Sequence, residues 1–269
     1  MPARAATEDE LALCHSRQYI AIARRDVDSG AHALSTGDTD INRRSFEVAL
    51  HAAGTCLNAV DLVFQKKAAN AFCVVRPPGH HAGPARGMGF CLFNNIAIAA
   101  RYAQRRYGIE RVAIADWDVH HGNGTQDIFY TDPSVFFFST HQYPWYPGTG
   151  AANEAGEGAG KGFTLNCPFP AGSGRKEIFG AFQEQFGTRM ESFRPDLVLI
   201  SAGFDSRTGD PLGRFLLTDT DFTDLTSFML DIAHKYASGR VISVLEGGYD
   251  LNGLSRAVSA HVHSLSLVR

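Results

Sequence analysis

Over its C-terminal two-thirds the chain alternates short apolar runs with longer amphipathic stretches, and nothing else in it restricts the possible folds as much. AFCVV (71–75) reads as a buried strand closed off by Pro77 and Pro78. VAIADWD (112–118), SVFFFST (134–140), DLVLISAG (196–203) and VISVLEGG (241–248) read as further strands, and the unbroken apolar character of SVFFFST suits burial on both faces. Between them, residues 94–108, 175–193, 222–239 and 254–265 read as helices, the first ending at Gly108 as a left-handed cap. A long helix is predicted over 43–67. This pattern predicts an α/β fold: a mostly parallel sheet with helices on both faces. No internal repeat or linker divides the 269 residues, and 44% hydrophobic content suffices for one sizeable core, so a single domain over 1–269 is expected.

In such sheets ligands bind at the carboxyl ends of the strands. Four of those ends carry polar, Gly-flanked stretches: RPPGHHAG, DWDVHHGNG, FDSRTGDP and GGYD. Four strands delivering costly polar groups to one edge is the main sign of a site.

Other classes are disfavoured. The net charge of −3 offers no basic footprint for nucleic acid. No apolar run approaches the roughly 18–20 residues of a bilayer span, and the start, MPARAATEDELALCHS, lacks the apolar centre of a secretory signal. Cys14, Cys56, Cys73, Cys91 and Cys167 are scattered and form no CxxC pair; they read as reduced thiols in a cytoplasmic protein. GxSxG is absent, no cysteine neighbours the histidine motifs, and Ser206 has no evident base. The Gly-rich stretch 148–162 lacks the GxxxxGK[ST] form of a phosphate loop.

Asp118 and His120 stand two apart at a strand end, so their side chains leave on one side. With Asp210, in the GDP turn after another strand, they make a three-ligand set with an open position for Zn²⁺, and the oxygen-rich donors also suit Fe²⁺. The plainer reading makes Asp118 a helix cap and His120 a packed loop residue. His80 and His81 form a tandem pair, with Asp116 and Asn123 as two different hydrogen-bond partners. A carboxylate makes its histidine more basic and an amide does not, which would separate two protonation roles. In the plainer alternative the two rings are simply solvated side chains of an exposed loop. Tyr249, after two glycines, could donate to a developing oxyanion or simply cover the sheet end. Phe90 and Tyr146, in Gly/Pro loops, could line a slot for a linear substrate.

The stretches RPPGHHAGPARGMGFCLFNN, DWDVHHGNGTQDIFY, FSTHQYPWYPGTG, SAGFDSRTGDPLG and VLEGGYDL resemble the zinc-dependent histone deacetylase family, which includes acetylpolyamine amidohydrolases. HGNGTQ and LEGGYDL are most similar to its class II branch, and the likeness runs from about residue 8 to 263. The resemblance implies an arginase/deacetylase-like fold and hydrolysis of an acyl group from acylated lysine or an acetylated polyamine. It implies Asp118, His120 and Asp210 as zinc ligands, and His80 and His81 as active-site histidines, with His81 the general base and acid. Asp116 and Asn123 would be their partners, and Tyr249 would stabilise the oxyanion. It implies Gly89, Phe90 and Tyr146 as pocket walls and Asp38 as a rim residue. It also implies a structural potassium ion at Asp116, Asp118, His120, Ser139 and Thr140. A second would fall near Phe129, Asp132, Val135 and Phe163.

One departure stands out: the family's HPERP-like motif and first strand, expected upstream, are not in this sequence. An uncovered strand edge would favour association, so a homo-oligomer is among the expectations. A non-catalytic metal-binding reader or scaffold is the rival reading. A two-metal arginase-like hydrolase is disfavoured because D-x-D-x-H at 116–120 has room for one metal. Asp219 and Asp221 stand where an acidic gate for polyamines would be sought, though acids at a helix start are commonly solvated.

Overall fold

The computed structural model describes residues 4–267. Six strands form one sheet: β1 (Asn70–Cys73), β2 (Val112–Asp116), β3 (Val135–Gln142), β4 (Thr164–Phe169), β5 (Leu197–Ala202) and β6 (Val241–Leu245). Their order is β1-β6-β5-β2-β3-β4, and every pairing is parallel. Successive side chains on a strand leave on opposite faces, and here both faces are apolar. Val112 and Ile114 of β2 enter one core; Ala113 and Ala115 enter the other. Leu197 and Leu199 of β5, and Ile242 and Val244 of β6, join the first core. Val198, Ile200 and Val241 join the second. All residues of β2, β3, β5 and β6 are buried, which is why these strands read as continuous apolar runs.

The first core is covered by α1 (Glu8–Leu11), α2 (Arg17–Asp28), α3 (Ser45–Phe64) and α4 (Asn95–Tyr107), with the short α5 (Asn123–Phe129) beside them. The second is covered by α6 (Arg175–Gly180), α7 (Gly187–Phe193), α8 (Asp219–Tyr236) and α9 (Leu251–Ser266). Asn94 caps α4 by accepting the Ala97 N–H, and Gly108 closes it at φ +66°, as predicted. By length and composition α3 could cross a membrane, contrary to the expectation that no such run exists. Within the fold, 56% of that stretch is buried, against α4, β1 and β6.

Several elements differ from the sequence reading: α1 and α2 were not expected, α9 starts three residues before 254, and three further differences have a visible cause. The helix predicted over 175–193 is α6 and α7 joined by a π-helical stretch, Ala181–Phe186. The wider turn accommodates Phe182 and Phe186, whose ring centres both close on Phe138, at 4.8 and 5.0 Å. Helix α8 starts three residues early because Asp221 accepts the Thr218 N–H at 2.7 Å and fixes the first turn. Strand β4 was not predicted: it has no long apolar run, and Pro168 is tolerated because the strand lies at the sheet edge.

His15, between α1 and α2, braces the histidine loop from behind. Its Nδ1–H donates to the Gly83 carbonyl and its Nε2 accepts the Asn94 N–H, both at 2.9 Å. The two bonds require a neutral ring, and burial pushes His15 down to about 4.

Candidate active site

Strands β2 and β5 are neighbours, but the chain leaves β2 towards β3 and β5 towards β6. The crevice at such a switch point is where α/β sheets hold ligands. Asp118 follows β2 there, and Asp205 follows β5. His120 Nδ1 lies 2.9 Å from Asp118 Oδ1 and 3.2 Å from Asp205 Oδ2. The donor atoms of all three buried residues lie within 4.8 Å of one another. One imidazole N–H serves only one carboxylate, and Asp118 is closer, so Asp205 Oδ2 is left buried without a hydrogen-bond partner. That is expensive: burial, with the charge of Asp118, pushes Asp205 up to about 6. Asp118 would also rise on burial, but His80 and His120 hold it well below the usual carboxylate range. A divalent cation would relieve the orphaned oxygen and the repulsion together. Two carboxylates and one imidazole fit a catalytic zinc site with an open position. Gly247 keeps the space clear: a Cβ there would stand 2.0 Å from Asp205 Oδ2, and its N–H donates to Asp118 Oδ2 at 2.8 Å.

Asp210, expected as the third ligand, points elsewhere. Its Oδ2 accepts the N–H of Tyr249 at 2.7 Å and of Asp250 at 3.2 Å, while Oδ1 accepts the Leu212 N–H at 2.9 Å. Both oxygens are thus committed to backbone donors. Asp205, five residues nearer the strand end, is the one that reaches the crevice.

The two histidines of the tandem pair have different partners. His80 Nδ1 pairs with Asp116 Oδ2 at 2.9 Å, and His81 Nδ1 with Asn123 Oδ1 at 2.8 Å. Burial pushes His80 down, but Asp116, Asp118 and Glu246 outweigh it and lift the ring to about 10. His81 has no carboxylate partner. Burial, then the charges of His80 and His120, hold it well below its ordinary value. At neutral pH one ring is a cation and the other, 4.0 Å away, is neutral. With its Nδ1–H donated to Asn123, His81 keeps a lone pair on Nε2.

A cavity of about 260 Å³ opens over these groups. Buried His80, His81, His120 and Gly247 form its floor, and the half-exposed Phe90, Trp145, Tyr146 and Leu212 form its mouth. Tyr249 lies in its wall. Burial, then the charges of Asp205 and Asp118, push the phenol up, so it remains a hydrogen-bond donor. Asp38 ties two walls together, accepting the Gly89 N–H at 2.8 Å and the Tyr146 O–H at 2.9 Å. Gly89 sits at φ +56°, and a Cβ there would stand 2.3 Å from the His81 ring. Phe90 holds φ +67°, a strained conformation for an aromatic residue.

Of the two potassium sets, Ser139 lies in register beside Asp116, at the strand ends that also carry Thr140, Asp118 and His120. His141 donates Nε2–H to the Gly150 carbonyl at 2.8 Å, so its Nδ1 receives the Ser139 hydroxyl proton at 3.0 Å. In the second set the Asp132 N–H donates to Phe129 O, and the Phe137 N–H, two residues past Val135, donates to Phe163 O. Arg101 already neutralises the Asp132 carboxylate.

Sequence reasoning missed four site residues: Asp205, Glu246, Trp145 and Leu212. Asp205 is the first acid beyond the apolar run of β5, and that nearness was the available signal. Glu246 ends the apolar run VISVL, an unusual place for an acid. Its Oε2 accepts the N–H of Gly79 at 2.7 Å and of His80 at 3.1 Å, and its Oε1 accepts the Ser201 hydroxyl at 3.0 Å. It therefore fixes the backbone of the histidine pair. Trp145 donates its indole N–H to the Leu212 carbonyl at 2.9 Å; nothing in the sequence paired those two loops.

Known proteins resemble this chain in sequence and in fold. A histone deacetylase domain model matches residues 1–265. Histone deacetylase 10, chloroplastic, of rice (Oryza sativa subsp. japonica) is 44% identical over 264 residues, covering 94% of this chain and 60% of the relative. A polyamine deacetylase of Homo sapiens is 41% identical over 276 residues, covering 98% of this chain and 41% of that protein. The chain thus spans well under two-thirds of these two relatives. The crystal structure of the HDA15 HD domain matches with a TM-score of 0.93 at 40% identity, covering 98% of this chain and 74% of that one. On its sequence match and its fold, the chain belongs to the histone deacetylase family.

Proposed function

We propose that the protein hydrolyses the N-acyl bond of an acylated lysine, most simply acetyl-lysine in a peptide or protein, as one catalytic domain. The observation that carries this reading is the orphaned Asp205 Oδ2, aimed with Asp118 and His120 at one point beside a neutral His81. Zinc held by Asp118, His120 and Asp205 would supply a Lewis acid for the acyl carbonyl and for water, and iron(II) suits the same donors. His81 Nε2 takes the proton of the attacking water and returns it to the nitrogen of the leaving amine. Tyr249 donates its hydroxyl to the acyl oxygen as negative charge develops there. Asp116 keeps the His80 proton on Nδ1, and Asn123 does the same for His81. Phe90 and Tyr146 flank the alkyl chain of the lysine, with Asp38 holding the rim. A potassium ion beside Asp116, Asp118, His120, Ser139 and Thr140 belongs to the same reading. It is supported by the buried Thr140 hydroxyl, which has no partner, and by Ser139, whose oxygen stays free to accept.

Acyl-lysine is favoured over an acetylated polyamine because none of the described residues lining the pocket is a carboxylate, and Asp38 at its rim is taken up by Gly89 and Tyr146. Asp219 pairs with Arg207 and Arg256, and Asp221 with Arg175, so neither suits the role of an acidic gate. We assign the protein to the cytoplasm on its five buried, free cysteines, although the rice relative is named as chloroplastic. Association through the sheet edge at β1 is a further part of the proposal.

The test is hydrolysis of a fluorogenic acetyl-lysine peptide by zinc-loaded protein, with a hydroxamate control and the Asp118→Asn/His120→Ala variant. Hydroxamate-sensitive turnover that disappears in the variant is expected. An intact, metal-bound protein inactive on acetyl-lysine, longer acyl-lysine and acetylpolyamine alike would favour the scaffold reading.

A further inference from the structure

Resting on the deacylase reading, we propose that Asp210 is the positioning residue for Tyr249. The metal ligands and the oxyanion donor come from different strands, so something must fix their separation. Tyr249 follows Gly247 and Gly248, and Gly248 sits at φ +136°, which only glycine adopts readily. A Gly–Gly turn has no side chains with which to hold itself. It is stitched to the loop after β5 at two points instead. Near the sheet, the Phe204 N–H donates to the Gly247 carbonyl at 2.9 Å. Further out, Asp210 Oδ2 accepts both the Tyr249 and Asp250 N–H groups. Tyr249 is itself held by the outer stitch, two residues past the inner one.

The outer stitch is well built. Asp210 is only 8% exposed, and bonds to an ionised acceptor are stronger than neutral ones. Its oxygen sits at the start of α9, where free N–H groups and the helix dipole favour negative charge. The Leu212 N–H holds the other oxygen, so the carboxylate is fixed within its own loop. Asp205 and Asp210 are five residues apart on that loop. One faces the metal ligands and the other holds the backbone of the phenol, so a single loop sets the distance between the two halves of the oxyanion site.

The test compares Asp210→Asn, Asp210→Ala, Tyr249→Phe and the Asp210→Asn/Tyr249→Phe pair, all zinc-loaded. Asparagine keeps the size but gives up an oxygen, so it no longer serves both sets of donors. The Asp210 variants are expected to hold zinc in the same ratio as the unaltered protein, which sets them apart from ligand variants. Turnover of the acetyl-lysine peptide should fall about 10–100-fold with KM within about threefold, the scale expected for a misplaced catalytic group. Added to Tyr249→Phe, the same substitution should cost less than about threefold, because the group it positions is already gone. Hydrogen exchange at the Tyr249 and Asp250 amides should accelerate while β6 stays protected. Loss of zinc, full turnover, an undiminished cost in the Tyr249→Phe background, or unchanged exchange would each overturn the proposal. If the unaltered protein hydrolyses no acyl amide, the deacylase reading fails. The exchange and zinc measurements then decide by themselves whether Asp210 anchors the Tyr249 backbone.

Discussion

His81 Nδ1 lies 2.8 Å from the side-chain oxygen of Asn123, an amide, where neighbouring His80 meets the carboxylate of Asp116. Asp116, with Asp118 and Glu246, holds one ring charged, while burial and the charges of His80 and His120 hold the other neutral with no carboxylate partner to oppose them. Asn123→Asp should therefore raise His81, since a carboxylate at this distance favours the protonated form by about one to three pH units. A general base works only when unprotonated, so the acid limb of the kcat/KM profile should move to higher pH by about one unit or more. Profiles between pH 5 and 9 check this; a superimposable limb would count against His81 as the base.

The orphaned oxygen of Asp205 makes a prediction about stability. Asp205→Asn should leave the metal-free protein at least as stable, since it removes a buried negative charge whose Oδ2 has no partner, a penalty of about 1–3 kcal/mol, and keeps an oxygen for the Val119 N–H that Oδ1 now accepts. Zinc should raise the Tm of the unaltered protein and leave that of the variant unmoved. Thermal melts with and without zinc decide it, and equal stabilisation of both proteins would remove Asp205 from the ligand set.

Tyr249→Phe deletes the proposed oxyanion donor and little else. Turnover should drop about 100–1000-fold, the scale of losing one such donor, with KM changed only a few-fold. Steady-state kinetics on the acetyl-lysine peptide measure both; a variant that turns over normally would exclude the role.

His261, on α9, is buried with Nδ1 2.6 Å from the Thr226 hydroxyl and Nε2 2.9 Å from the Ser243 hydroxyl. Burial pushes it down to about 3. The unfolded chain, with an ordinary imidazole near 6.5, binds the proton more readily. This group's stabilisation is therefore complete above pH 6.5 and is lost as pH falls towards 3. At pH 5 the loss is about 2 kcal/mol. Urea unfolding at pH 7 and pH 5 should show His261→Gln losing correspondingly less, and equal losses would show that the ring charges without penalty.

How far the sequence could be read depended on what each segment required of itself. Strands β2, β3, β5 and β6 are covered on both faces, so each carries an apolar run and was visible alone. Strand β4 lies at an edge, needs no such run, and was missed. Likewise His80, His81, Asp118 and His120 sit in dense motifs and were found together. Asp205 and Asp210 share one loop and one residue type. Which of them faces the crevice depends on where the Tyr249 turn places its N–H groups, a fact held in the neighbouring strand. Trp145 and Leu212 meet only because two loops far apart in the chain cross at the mouth.

The chain holds only two tryptophans, and the fold puts them to opposite uses. Trp117 is wholly enclosed among Phe182, Phe222 and His261, while Trp145 stands at the pocket mouth, 36% exposed. The molecule therefore contains two separate fluorescent reporters. Emission from Trp145 should respond to a ligand entering the pocket, and emission from Trp117 only to loss of the core. In Trp145→Phe the remaining signal would follow unfolding alone, so the difference between the two proteins would report occupancy without any added dye.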